Sequence, residues 1–412
     1  MPNLSVSGPH EFSYLRVLDP HLREVAGGTH RLDVAVPPGL YRIEARGPGT
    51  TEERLVVVGE TDDVSVTGFT PALDSPAPLP TVRTHHETQT MPADRTSRRE
   101  HVVIHEPGST GRLFLFIRNG VIDPLAELAT PTVVVQDETG RPLARLDGDG
   151  EVNRPEQYAA LSVRLPAGTY VLAHVDPVLG RRGQAVLVEE GWQTQVFASW
   201  NRDGIGLDQA LVRMVRGLGF NTAEEYAYQH VEAALNGLAA NRVALTARDE
   251  QDLLDAKFTD PMLGLTGAYA YLLRGDVDTG RLAQIARNLT MLLPHSPDAH
   301  LLARLTGGPD PTFEQPPMFA TGVERLIDLA ARDASLVGAA GWLANVALTR
   351  TTGSVWTRWN LDVDPGQRFA VLAGELADGP GATGHPDPAD VARAAGLPLS
   401  VVLRALTAGV FA

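Results

Sequence analysis

Two periodicities divide the chain. In the first 200 residues, short apolar–polar alternations are cut by Gly/Pro turns: Phe12 to Leu18 stops at Asp19-Pro20, and Arg31 to Val36 stops at Pro37-Pro38-Gly39. Tyr41 to Ala45 and Arg54 to Val58 continue the pattern. Such period-2 runs predict antiparallel strands with one buried face. From about Asp208 the period becomes helical. Leu211, Met214, Val215 and Leu218 share one face, ending at Gly219, and Thr222 to Glu225 forms a capping box before Val231, Leu235 and Leu238. Asp260-Pro261 opens a further helix ending at Gly275, and Thr279 to Leu293 follows. Ser296-Pro297-Asp298 opens a segment closing at Gly307-Gly308, and a break from Pro309 to Pro317 precedes the helical stretch Val323 to Leu348. Short links between these helices predict packed antiparallel pairs.

The strand-rich half contains an internal echo. Val34 to Glu44 aligns with Ser162 to Leu172, Arg54 to Val58 with Gln184 to Val188, and Val17 to Pro20 with Val121 to Pro124. The second copy carries an insertion over Asp137 to Tyr158. Both copies share Pro-x-Gly-x-Tyr, at Pro37-Pro38-Gly39-Leu40-Tyr41 and Pro166-Ala167-Gly168-Thr169-Tyr170. Here proline pre-sets a turn, glycine supplies its unusual backbone angle, and tyrosine restarts the strand. This pattern resembles the strand–turn–strand of transthyretin-like sandwiches such as carboxypeptidase regulatory-like modules. The resemblance implies accessory or binding modules that bring no catalytic residues.

The expected fold is therefore β then α: two related antiparallel β-sandwich-like units followed by a helical-bundle domain. The expected divisions are unit 1 over 1–70, a Pro-rich linker over 71–100 and unit 2 over 101–200. A helical domain over 205–350 and a C-terminal extension with a helical hairpin over 351–412 complete the chain.

Composition narrows the chemistry. Cysteine is absent, which removes disulfides, thiolate metal sites and cysteine nucleophiles and fits a reducing compartment. A net charge of −15 disfavours nucleic acid and anionic lipid as partners. The one short basic run, Arg95-Thr96-Ser97-Arg98-Arg99, falls in the linker, and Lys257 is the single lysine, as codon bias in a GC-rich genome would produce. Met1 to Ser5 carries no secretory signal, and the apolar window Ser335 to Leu348 is short of the ~20 residues a membrane span needs. A cytoplasmic protein with no membrane contact is expected.

Candidate metal ligands are His85-His86-Glu87 and His101 to Glu106, yet His-Glu-x-x-His is absent and a solvated or packing role is expected. Asp147-Gly148-Asp149-Gly150-Glu151 lacks calcium-loop spacing and reads as a turn. Asp276-Val277-Asp278 and Asp362-Val363-Asp364 read as caps or turns. Neither a nucleophile elbow nor a P-loop occurs, and Gly204-Ile205-Gly206 lacks a third glycine. No catalytic residue, cofactor or metal site is therefore expected.

The segment Asp390 to Leu406 is similar to a helix-turn-helix, but its second helix offers Val401, Val402, Leu403 and Leu406 with only Arg404. Packing is expected there rather than DNA reading. Trp356, Arg358 and Trp359 form a candidate partner surface, because Trp and Arg are enriched at interface hot spots. The competing role is closure of the domain's own core. Asp260 to Tyr269, leading to His295 to Ala299, resembles helical regions of bacterial proteins associated with caspase-like proteases and other conflict or signalling systems. That resemblance implies an accessory role in a multi-protein system. The expected function is a non-enzymatic adaptor or scaffold with a protein partner. One alternative is a hydrolase with its site between the halves, using His101, His105 or nearby carboxylates; another is a DNA-associated regulator using the C-terminal helices.

Overall fold

The computed structural model describes residues 1–8, 14–47, 50–61, 63–67, 75–78, 87–119, 131–178, 180–201, 204–220, 225–239, 241, 245, 247–274, 276–309, 311–330, 332–333, 336, 342–351, 353–363, 388–395, 397, 399 and 402. Strands dominate the N-terminal part and helices the C-terminal part.

The first strands are β1 (Asn3–Ser7), β2 (Tyr14–Leu18), β3 (Glu24–Thr29), β4 (Arg31–Ala35), β5 (Gly39–Gly47), β6 (Thr50–Val58) and β7 (Val64–Val66). They form a three-stranded sheet, β4-β1-β7, and a four-stranded sheet, β3-β2-β5-β6. Only β1 and β7 run parallel. Alternate residues from both sheets, among them Leu4, Val6, Leu15, Val17 and Ile43, meet in one apolar cluster, which is what period 2 delivers when each sheet buries one face.

The next elements are α1 (Glu87–Ser97), β8 (Val102–Val103), β9 (Gly111–Asn119), β10 (Val133–Gln136), β11 (Pro142–Arg145), α2 (Leu146–Asp149) and β12 (Glu151–Asn153). Then follow β13 (Tyr158–Leu165), β14 (Gly168–Asp176), β15 (Gly180–Val188), β16 (Trp192–Asn201), β17 (Gly204–Ile205) and β18 (Leu211–Arg216). A seven-stranded sheet has the order β12-β13-β9-β16-β17, with β18 also on β16 and β8 on β13. A five-stranded sheet runs β11-β10-β14-β15-β19, its last strand β19 (Arg358–Asn360) arriving from far down the chain.

The strand order of the first sheets recurs here. Antiparallel β13-β9 and parallel β9-β16 repeat β4-β1-β7, and β11-β10-β14-β15 repeats β3-β2-β5-β6. Registers agree as well: Gly39 faces Val58 and Tyr41 faces Val56, while Gly168 faces Val188 and Tyr170 faces Val186. The Tyr41 hydroxyl donates to the Pro37 carbonyl at 2.8 Å, and Tyr170 donates to Pro166 at 2.9 Å. Asp19 Oδ1 accepts from the amides of His21 and Arg23, and Asp137 Oδ1 from those of Thr139 and Arg141. A bulge precedes each turn, at Val17/Leu18 and Val135/Gln136. By register, Val17-Leu18-Asp19 therefore matches Val135-Gln136-Asp137. The stretch Val121 to Pro124 lies outside the described residues. The extra elements, α2 and β12, begin after Arg145 rather than at Asp137.

Two expectations need correction. Within the stretch read as a Pro-rich linker, residues 87–97 form a helix that packs on the seven-stranded sheet. Gln89 Nε2 donates to the Glu156 carbonyl at 2.7 Å, Gln193 Nε2 donates to Ser97 at 2.7 Å, and Ala93 and Thr96 are buried. Residues 211–216 form strand β18 on β16 rather than a helix. The β part therefore extends past 200, because the edge of β16 offers a full ladder to all six residues Leu211–Arg216.

The helical part comprises α3 (Glu225–Ala239), α4 (Ala247–Asp255), α5 (Pro261–Leu272), α6 (Thr279–Leu292), α7 (Pro297–Leu305), α8 (Ala320–Ala330), α9 (Trp342–Thr349) and α10 (Pro388–Ala395). Three caps lie where the sequence puts them. Asp260 accepts from Met262 N, Asp278 from Gly280 N and Arg281 N, and Ser296 from Ala299 N. Thr222 to Glu224 and Gly275 lie outside the described residues. Helix α5 is buried on nearly every side, and one apolar cluster runs without a break from β9 through α5 to Trp356. Among the described residues no helix is long and apolar enough to cross a membrane.

Candidate functional site

Trp356, Arg358 and Trp359 lie inside the molecule instead of forming an exposed partner surface. The Trp356 indole donates to the Ala210 carbonyl at 2.8 Å, and its ring lies 5.0 Å from Phe319. Trp359 and Arg358 belong to β19, which closes the edge of β15 with Gly183 opposite Trp359 and Gln184 opposite Arg358. Small residues make room: a Cβ on Gly183 would stand 3.2 Å from the Trp359 ring. The outward face of this sheet is then covered by α8 and α9, where Val171, Ala185, Val323, Ile327, Val346 and Trp359 form one cluster.

Among the described residues, the matching face of the first sheets carries no such cover. By register, Ala185 corresponds to Leu55 and Leu187 to Val57. Leu55 is 71% exposed and Val57 72%, and their neighbour Leu40, directly opposite Val57, is 44% exposed. Beside this apolar end, Arg42 pairs with Glu44 and Glu53, and Arg16 with Glu44 and Glu24. Strand β6 ends its sheet, so its outer backbone groups have no strand partner among the described residues. A long edge strand flanked by exposed apolar side chains is a template for another strand.

The remaining sequence candidates disperse. His101 Nδ1 accepts from Ser162 N at 3.0 Å, and partial burial pushes its pKa below the usual imidazole value. His105 is exposed and joins no cluster, while His85 and His86 lie outside the described residues. Among the described residues no three His, Asp or Glu side chains converge. Asp147 is held by Arg145, and Glu151 by Arg95, Arg99 and the Tyr158 hydroxyl. Asp278 caps α6, and Asp362 accepts from Arg181 N. In the helix-turn-helix-like segment α10 is described, and Ala392, Leu397 and Val402 pack together; most of its second helix lies outside the described residues.

One carboxylate–imidazole pair escaped sequence reasoning. Glu189, between β15 and β16, is buried and accepts from His295 N at 2.7 Å, with His295 Nδ1 at 2.9 Å from its other oxygen. Burial raises the Glu189 pKa, and the His295 contacts pull it back. The pair joins the sheet to the loop before α7. Two contacts to one carboxylate anchor that loop on the sheet. No family model, curated protein or solved structure matches the chain.

Proposed function

We propose that the protein is a non-enzymatic adaptor or scaffold, built on two copies of one β-sandwich unit, whose first copy receives a strand of a partner protein along β6. One observation carries the reading. The edge of β15 in the second unit is filled by the chain's own β19 and its face by α8 and α9, whereas β6, beside Leu40, Leu55 and Val57, has no strand partner on its outer edge among the described residues. The shared strand order, register, turn and tyrosine contacts support treating the two edges as equivalent. The occupant is then an extended segment with a bulky apolar side chain at alternate positions, as Trp359 is in β19. The setting is a cytoplasmic multi-protein system, and the resemblance around α5 suggests one that works with a protease in bacterial defence or signalling.

The test is affinity purification of the intact chain with cross-linking, beside the variants Leu55→Lys/Val57→Lys and, as a surface control, Leu22→Lys. The expected result is an identified partner cross-linked to Thr50–Val58, lost in the double variant and kept in the control. Retention of the partner by the double variant overturns the reading. So does a homodimer of the purified chain, by light scattering, that Leu55→Lys/Val57→Lys dissolves.

A further inference from the structure

The core-facing side of the five-stranded sheet, at the end where β19 joins β15, is positively charged and buried. His174 faces Arg182 across β14–β15, and Gln184 faces Arg358 across β15–β19. Arg182 is 6% exposed and Arg358 7%. The Arg182 guanidinium has no hydrogen-bond or ion-pair partner among the described residues, and its Nε is buried. Arg358 donates to His174 Nε2 at 3.3 Å; its nearest carboxylate, Asp208, stands off at 3.9 Å. Arg358 Nε and His174 Nδ1 also lack partners.

Other deeply placed arginines of this acidic chain have partners: Arg213 pairs with Asp260, and Arg118 donates to the carbonyls of Ser75 and Pro76. At the corresponding places in the first unit, by register, Glu52 stands where Arg182 does and Arg54 where Gln184 does, and those two pair at 2.7 Å. The second unit thus has a cation in place of the acid, and β19 adds another. A buried guanidinium without a counter-charge is costly unless an anion completes it.

We propose that Arg182, Arg358 and His174 bind a small oxyanion, a phosphate or carboxylate group. Burial and the charge of Arg358 push the His174 pKa down to about 4, so its ring is neutral at pH 7. With Nε2 accepting from Arg358, Nδ1 carries the proton and is a free donor. The donor set is then the Arg182 fork, Arg358 Nε–H and His174 Nδ1–H, which suits planar or tetrahedral oxyanions. Gln184, whose Oε1 lacks a donor, accepts from a P–OH or, turned over, donates to an oxygen. Arg358 also lines a pocket of about 210 Å³ that contains Thr351 and Thr357, both with unpartnered buried hydroxyls.

The experiment melts the intact chain in a chloride buffer poor in every other anion, with inorganic phosphate or acetate replacing chloride at constant ionic strength. Phosphate, acetate or both raise the melting temperature by several degrees, and whichever acts identifies the ligand's anionic group. Arg182→Gln weakens that anion's affinity about tenfold to a hundredfold. In the chloride buffer alone the same variant melts higher than wild type, because an unpaired charge is gone. Arg281→Gln, on the surface, leaves the response intact. No response to either anion overturns the site. So does an Arg182→Gln variant that melts lower than wild type in chloride alone and keeps the full response. Should the variant not fold, calorimetric titration of wild type with phosphate and acetate decides.

Discussion

Removing the Asp260 carboxylate should open the joint between the two halves of the protein. Asp260 is 0% exposed and does three jobs: it accepts from Arg213 Nε at 2.7 Å, from Met214 N of β18 at 3.0 Å and from Met262 N of α5 at 3.1 Å. Burial alone would push its pKa up, and Arg213 opposes that. Asp260→Ala loses a helix cap, worth about 1 kcal/mol. It also leaves a buried guanidinium without its acid, for which breaking a buried pair costs roughly 3–5 kcal/mol. The two terms overlap, so the expected loss is about 4 kcal/mol, a fall of roughly 8–16 °C in melting temperature for a cooperative unit of this size. All five tryptophans lie between Trp192 and Trp359, so their fluorescence in a urea titration reports this core and not the first unit. Asp260→Asn/Arg213→Met keeps a capping side chain and removes the charge, and should recover most of the loss. A loss below about 1 kcal/mol in Asp260→Ala, or a double variant no better than the single, would refute the clamp.

Other consequences are equally open to measurement. Burial raises Asp298, fully enclosed and bonded to the Tyr269 hydroxyl and to Met318 N, to a pKa of about 6. Its folded pKa exceeds the unfolded one, so its contribution is full below pH ~4 and is lost as pH rises to about 6. Wild type should therefore lose up to about 3 kcal/mol relative to Asp298→Asn across that window; equal urea midpoints of the pair at every pH would contradict this. Tyr41→Phe and Tyr170→Phe each delete one hydroxyl-to-carbonyl bond and should cost about 1 kcal/mol apiece. Markedly unequal costs would argue against the equivalence of the two turns. Leu55→Lys/Val57→Lys should leave folding unchanged to about 0.5 kcal/mol per substitution by circular dichroism, since both side chains face water.

Features with local causes were legible from the residues. Asp260-Pro261 and Ser296-Pro297 open helices because acceptor and ring act within one turn. Pro-x-Gly-x-Tyr marks a turn because its chemistry is contained in five residues, but it does not close a hairpin: β4 and β5, like β13 and β14, go to different sheets, so the turn crosses between layers. Features set by distant neighbours were not legible. Leu211, Met214 and Val215 fit helical spacing, and only the free edge of β16 makes them a strand. Helix α1 holds Pro92 and buries Gln89, Ala93 and Thr96, so no large apolar stripe announces it. The candidate site follows the same rule. Alternation in Arg54 to Val58 shows a strand, but whether Leu55 is covered depends on helices that lie over the other unit. Trp359 reads as a hot spot because it does sit at an interface, one made within the chain. The Glu189–His295 pair joins residues remote in sequence, and no spacing rule reaches it.

Strand β19 sets an order of events during synthesis. The described strands of the first two sheets are all made by Val66, and they can close while the rest of the chain is still being added. The second unit cannot, because the edge of β15 and the face over Ala185 wait for residues 342–360. At ordinary translation rates, roughly 170 further residues take about 10–30 s. For that interval the nascent chain exposes an open, apolar sheet edge next to the ribosome. A chaperone holding that edge, or slow decoding before Trp342, would change the yield of folded protein without touching its final stability.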